Sequence, residues 1–168
     1  MKNRAVIKLP LSDAERASLR RSKVRIASLP DFAPDEWAAL LNATEERARE
    51  LYALAEFQTI PSIGIKFAED LVFLGYHSLE ELKAKDGADL TNEYEQRKGY
   101  WVDACVEDQF RLVVHYANTR DSGKTWWDFT AKRKQFRQEH GYPQSRPQKP
   151  WFEAAAFQKS QPAAGQVV

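Results

Sequence analysis

The chain has 168 residues, 43% hydrophobic and 12% aromatic, with 29% charged residues and a formal net charge of +1. That supplies one good core or two small helical units, and it excludes both a polyanion-coating chain and a disordered acidic one. Cys105 is the one cysteine, which excludes a disulfide framework or a cysteine-based metal site within one chain and fits a reducing cytoplasm.

Residues 1–10 are charged and lack an apolar run of signal-peptide length, and no stretch approaches the ~18 uninterrupted apolar residues of a membrane span. The expectation is a cytoplasmic protein with no membrane contact. Ser12-Asp13-Ala14-Glu15 then reads as a capping box opening a short helix toward Arg21. Pro34 suits a first helical turn, and Trp37, Leu40 and Leu41 mark an apolar stripe that stops near Asn42. Thr44 can cap a helix over 45–57, in which Ala48, Leu51, Tyr52 and Ala55 fall on one core-facing stripe.

A tight turn over 58–64 contains Pro61 and Gly64, and a second helix follows over 65–74 with Ala68, Leu71 and Val72 facing the first. Gly75 is placed to end that helix. Ser78-Leu79-Glu80-Glu81 is a second capping box, and Asp86-Gly87 is expected to close the helix it opens. A helical run over 89–96 ends at Gly99, and the longest apolar helix, over 102–118, carries Val106, Phe110, Val113 and Ala117 on one stripe. After a polar loop at 118–123, Trp126, Trp127 and Phe129 lead into a basic helical run through Lys132, Arg133, Lys134 and Arg137. Residues 142–150 hold three prolines and should run extended. The expected organisation is a basic segment with a short helix at 1–30, a helical core at 31–118, a Trp-rich basic segment packed on it at 119–159, and a disordered tail at 160–168.

Charge is distributed unevenly. Residues 1–25 carry a balance of +6, residues 31–110 a balance of −11, and residues 111–168 again +6. Basic ends can wrap nucleic acid or pair with the acidic middle.

The turn at 58–64 carries the most specific chemistry. Pro61 fixes one backbone angle, and Gly64 can take positive φ, so the chain reverses tightly just before the second helix. The amides that open the second helix then point outward, a seat for a phosphate group favoured by the helix dipole. Ser62, Gly64, Ile65, Lys66 and Phe67 are the candidate DNA-phosphate residues. The carbonyls of Gln58, Ile60 and Ile63 could hold a monovalent cation, K+ or Na+, bridging to that phosphate. All these contacts address backbone and read no sequence. Against them stand Ser62, whose side chain crowds a phosphate and costs ~1 kcal/mol or more if the backbone there needs positive φ, and Glu69 and Asp70, within a Debye length of Lys66. Affinity therefore has to recruit basic flanks, for which Arg20, Arg21, Lys23, Arg25, Lys132, Arg133, Lys134 and Arg137 are the candidates.

Residues 60–83, from Ile60-Pro61-Ser62-Ile63-Gly64 through Leu71 to Gly75-Tyr76-His77-Ser78-Leu79-Glu80-Glu81-Leu82, resemble the helix-hairpin-helix repeats of DNA polymerase beta and related repair proteins. The position held by Ser62 is usually glycine in DNA-binding hairpins of that kind. A broader resemblance, running from the basic N-terminus through Ala104-Cys105-Val106-Glu107-Asp108 to Trp126-Trp127-Asp128-Phe129, is to the bacterial pathogenicity-locus family, also labelled mitomycin-resistance proteins. These resemblances imply an all-α, compact helical domain with a SAM-like, polymerase-beta-like helix-hairpin-helix. They also imply weak, sequence-independent binding of the DNA backbone, linked to repair or damage resistance. The alternative is a protein-interaction module using the same fold and its acidic middle.

Other constellations read as structure. His77, His115 and His140 lack metal-ligand spacing, and Cys105 has acidic neighbours that disfavour a thiolate. No paired-carboxylate or phosphate-loop motif appears, so the expectation is a protein without catalytic activity. Trp126, Trp127 and Trp151 either stack on unpaired bases or pin the C-terminal segment to the core.

Overall fold

The structure is a computed structural model that describes residues 6–154. Lys2, Arg4 and the expected tail at 160–168 lie outside the described residues. The fold is all-helical, and among the described residues the one bridge of strand type joins Trp101 to Pro150. Two compact units make it up: one holds the chain up to Lys85 together with Leu112–Thr125, the other Asp86–Arg111 and the chain from Trp126 onward.

The first unit begins with α1 (Asp13–Arg21), opened by the expected capping box. Ser12 Oγ accepts the Glu15 N–H at 3.1 Å, and the Glu15 carboxylate accepts the Ser12 N–H at 2.8 Å. A 3₁₀ segment at Pro34–Glu36 feeds α2 (Trp37–Leu41), which ends on Asn42 in the left-handed region. Thr44 caps α3 (Glu45–Phe57) by accepting the Arg47 N–H at 3.1 Å. The turn at 58–64 leads to α4 (Ile65–Phe73), which stops at Gly75: φ is +95° there, and Tyr76 N–H closes on Leu71 O at 3.1 Å. Ser78 caps α5 (Leu79–Leu82). Only half of the second box forms, because Glu81 turns its carboxylate to the His77 N–H at 2.6 Å instead of to Ser78.

α1 packs on α2, α2 on α3, and α3 on α4. Ala48, Leu51 and Ala55 of α3 are buried as their spacing predicts, while Ala53, Leu54 and Phe57 are buried as well, so α3 hides more than one stripe. Trp37, Leu41, Leu51 and Phe57 have no exposed surface. Each side chain of that size contributes roughly 1.5–3 kcal/mol when fully withdrawn from water.

The second unit is built differently. It holds α6 (Gly87–Lys98), the first half of α7 (Ala104–Thr119), a 3₁₀ segment at Trp126–Phe129, and α8 (Thr130–His140). Asp86-Gly87 does not close α5. Asp86 caps α6 instead, its Oδ1 accepting the Ala88 and Asp89 amides at 2.9 and 3.2 Å. Gly87 is buried against α7, where a Cβ would stand 2.5 Å from Arg111 Cγ and 2.8 Å from Arg111 Cα. Close helix approach, not a turn, requires that glycine.

Three buried carboxylates organise the unit. Glu95 takes a two-pronged bond from Arg146 at 2.8 and 2.9 Å. Glu107 accepts from Arg111 and Arg137, each at 2.8 Å. Asp108 accepts from Arg133 at 2.6 Å and from the Thr130 hydroxyl at 2.8 Å. Burying an unpaired carboxylate would cost several kcal/mol, so each brings its arginine with it. This is the pairing of acidic middle with basic C-terminal segment, realised inside one unit.

Candidate nucleic-acid interface

The α3–α4 turn is closed by Ile60 N–H on Phe57 O and Ile63 N–H on Ile60 O, both at 3.2 Å. Ile60 and Ile63 are buried beneath it. Ser62, Gly64 and Lys66 are exposed, Ile65 is half-buried, and the Phe67 side chain is buried. The expectation that Gly64 supplies positive φ is corrected: Gly64 has φ −101° and ψ −175°, and Ser62 has φ +62°. The physical reason is that Gly64 is the N-cap of α4, a position that needs extended backbone, so the reversal falls two residues earlier. Space in front of Gly64 is open, with nothing within 4 Å of an added Cβ.

The amides of Gly64, Ile65 and Lys66 take no acceptor among the described residues, as the first turn of a helix leaves them. Lys66 therefore stands exposed on a helix N-terminus, with Glu69 exposed on the same helix. Of the proposed cation ligands, the Ile60 carbonyl already accepts the Ile63 N–H and keeps a second lone pair.

Gln58, the first residue of the turn, reveals a neighbour that local spacing did not. Its buried side chain clamps the backbone of Lys8 in both directions: Lys8 N–H donates to Oε1 at 3.0 Å, and Nε2 donates to Lys8 O at 2.7 Å. Lys8 itself is exposed. Arg47, in the first turn of α3, holds the same segment, donating to Pro10 O at 2.7 Å and to Glu15 at 3.0 Å. Hydrogen bonding from Arg47 in turn holds the Glu15 carboxyl below the usual carboxylate range. Lys8 thus joins the turn as a basic residue absent from the sequence-derived set, since the clamp spans 50 positions.

The expected basic flanks divide. Arg20, Arg21, Lys23 and Arg25 are all exposed at and beyond the end of α1 and make no ion pair with a described residue. Lys132 and Lys134 are exposed on α8. Arg133 and Arg137 are corrected: their guanidiniums are spent on Asp108 and Glu107, with side chains 11% and 8% exposed. Helical spacing explains the split, because α8 turns Arg133 and Arg137, four positions apart, toward the carboxylates and the lysines away.

Trp127 and Trp151 are 58% and 42% exposed, so they do not pin the C-terminal segment by burial. Burial, with Asp103 adding to it, pushes the Cys105 thiol up to about 11, which leaves it a neutral thiol at neutral pH. His115 faces Asp121 at 3.5 Å, and no group of three His, Cys, Asp or Glu among the described residues could hold a metal ion. Among those residues no helix is long and apolar enough to cross a membrane.

A match to the family described as Cdd1, pathogenicity locus, covers residues 50–135, just over half of the chain. The chain belongs to the pathogenicity-locus family. In this family member the matched span runs from within α3 through the turn to the middle of α8, so it contains the turn and all three buried carboxylates. Lys8 and the basic end of α1 lie outside it. No curated protein and no solved structure matches the chain.

Proposed function

We propose that this protein binds the DNA backbone without reading sequence, as a non-enzymatic helix-hairpin-helix protein acting in the cytoplasm in DNA repair or damage resistance. One phosphate docks on the amides of Gly64, Ile65 and Lys66 with Lys66 as its cation, and K+ or Na+ on the carbonyls of Gln58, Ile60 and Ile63 bridges to it. The observation that supports this reading is the clamp of Gln58 on Lys8, which holds the Lys8 backbone at the base of the turn. Arg20, Arg21, Lys23 and Arg25, exposed in the same unit, would supply the further phosphate contacts.

A second reading, a protein-interaction module, is supported by a cleft of about 370 Å³ lined by Pro10, Glu50, Leu54, Glu69, Val72 and Phe73. Phe73 is 43% exposed there, and the two glutamates suit a basic, partly apolar peptide.

Fluorescence anisotropy of labelled duplex DNA across a salt series separates the two. The DNA reading expects micromolar or tighter binding with a steep negative log–log slope, which counts neutralised phosphates. Gly64→Val should fold, given the open space at Gly64, and should lose affinity by blocking phosphate approach. Lys66→Glu should weaken binding and flatten the slope. No binding at low salt, or unchanged affinity in both folded variants, sinks the hairpin assignment.

A further inference from the structure

We infer that the cleft beside α4 docks a basic segment of a partner protein, with one large apolar side chain seated between α3 and α4 and the lysine or arginine on either side of it paired with Glu50 and Glu69. The inference rests on the protein-interaction reading and names the chemistry of the partner. The floor of the cleft is Leu54, 1% exposed, and its walls come from three elements of one unit: Glu50 on α3, Glu69, Val72 and Phe73 on α4, and Pro10. Val72 and Phe73 follow Glu69 by three and four positions, so α4 turns all three to one face, while Phe67, Ala68 and Leu71 fill its buried face.

The wall at Pro10 is fixed before any partner arrives. Leu9 and Leu11, on either side of Pro10, are buried, Arg47 donates to Pro10 O at 2.7 Å, and Gln58 holds the Lys8 backbone. A preformed cleft spares the ordering cost of binding. Its volume of about 370 Å³ is at the small end of ligand pockets, room for a side chain or two and not for a folded surface.

Charge selects the occupant. Residues 45–73 carry six carboxylates, Glu45, Glu46, Glu50, Glu56, Glu69 and Asp70, against three cations, Arg47, Arg49 and Lys66. Arg47 is engaged by Glu15 at 3.0 Å and Arg49 faces Glu81 at 3.6 Å, both carboxylates outside that span. Glu50 is left with a long 3.8 Å approach to Arg47, and Glu69 makes no ion pair with a described residue. Lys8 adds one cation two positions before Pro10 and leaves the balance negative. The C-terminal end of α4, where Val72 and Phe73 stand, adds the negative pole of the helix dipole. A phosphate polymer is repelled there, and a lysine or arginine is attracted.

The test is anisotropy of the full chain with three short labelled peptides: a phenylalanine flanked by lysines, the same with glutamines for the lysines, and the first with serine for the phenylalanine. The first peptide should bind about tenfold tighter than either control, and added salt should weaken it. Glu69→Lys, at an exposed position, should lower its affinity about tenfold. Phe73→Ser serves as the second variant if Glu69→Lys fails to fold, and should remove the advantage over the serine control. Gly64→Val, aimed at the α3–α4 turn, should leave peptide affinity unchanged. Equal affinity for the lysine and glutamine peptides, or full affinity in folded Glu69→Lys, overturns the basic partner and leaves a peptide cleft. No binding of any of the three peptides overturns the interaction reading of this cleft as well. Self-association that Glu69→Lys abolishes, read by sedimentation velocity, gives the cleft to a second copy and overturns the peptide partner.

Discussion

Ser62 holds the turn in a backbone conformation that disfavours it. At φ +62° a residue with a Cβ pays on the order of 1 kcal/mol relative to glycine, partly offset by the greater freedom of glycine in the unfolded chain. Ser62→Gly should therefore leave stability unchanged or raise it by up to about 1 kcal/mol, read as a urea midpoint shift at constant slope. DNA affinity should hold or improve, because the side chain beside the free amides is gone. A clear loss of affinity would instead give the serine hydroxyl a direct role. Composition points to Gly64 for the positive φ, since glycine is the default there, yet the N-cap of α4 takes Gly64 into extended backbone and shifts the strain to its neighbour. Where a glycine follows a helix end, at Gly75 and Gly99, the sequence reads correctly, because the helix end itself demands the left-handed residue.

Among the elements, the caps at Ser12, Thr44 and Asp86 act on partners within three residues, and for Ser12 and Thr44 sequence alone predicts them. Interactions across dozens of positions follow no local spacing. The Gln58 clamp on Lys8, the Glu107–Arg137 pair and the seat of Gly87 beneath Arg111 all belong to that class. Gly87 shows the consequence: beside Asp86 it reads as a turn signal, whereas it is the point where the start of α6 meets the α7 backbone. Gly87→Ala should push a methyl into Arg111 main-chain atoms and cost roughly 1–3 kcal/mol, the range for overpacking. Gly64→Ala, with open space around it, is the control and should cost no more than about 1 kcal/mol. Equal small losses in both, measured by chemical denaturation, would mean that α6 and α7 adjust their approach freely.

At the scale of the whole molecule, the basic segments of the chain have unlike roles. The C-terminal one gives Arg133, Arg137 and Arg146 to Asp108, Glu107 and Glu95 inside its own unit. The N-terminal one keeps Arg20, Arg21, Lys23 and Arg25 exposed. Net charge cannot tell these apart, because a buried pair and two separate surface charges sum alike. Their energetics differ. Removing one partner of a buried pair strands the other, so Arg133→Ala, which leaves Asp108 almost fully buried beside only the Thr130 hydroxyl, should cost on the order of 3 kcal/mol. The loss should change little with added salt, since buried pairs are poorly screened. Arg21→Ala and Arg25→Ala together should move stability by no more than about 1 kcal/mol and should instead flatten the salt dependence of DNA binding by about one unit for each phosphate no longer neutralised. Thermal melts and anisotropy on both variants read the two quantities side by side. A destabilised Arg21→Ala/Arg25→Ala protein, or a fully stable Arg133→Ala protein, would reverse the proposed division of the basic charge between nucleic acid and fold.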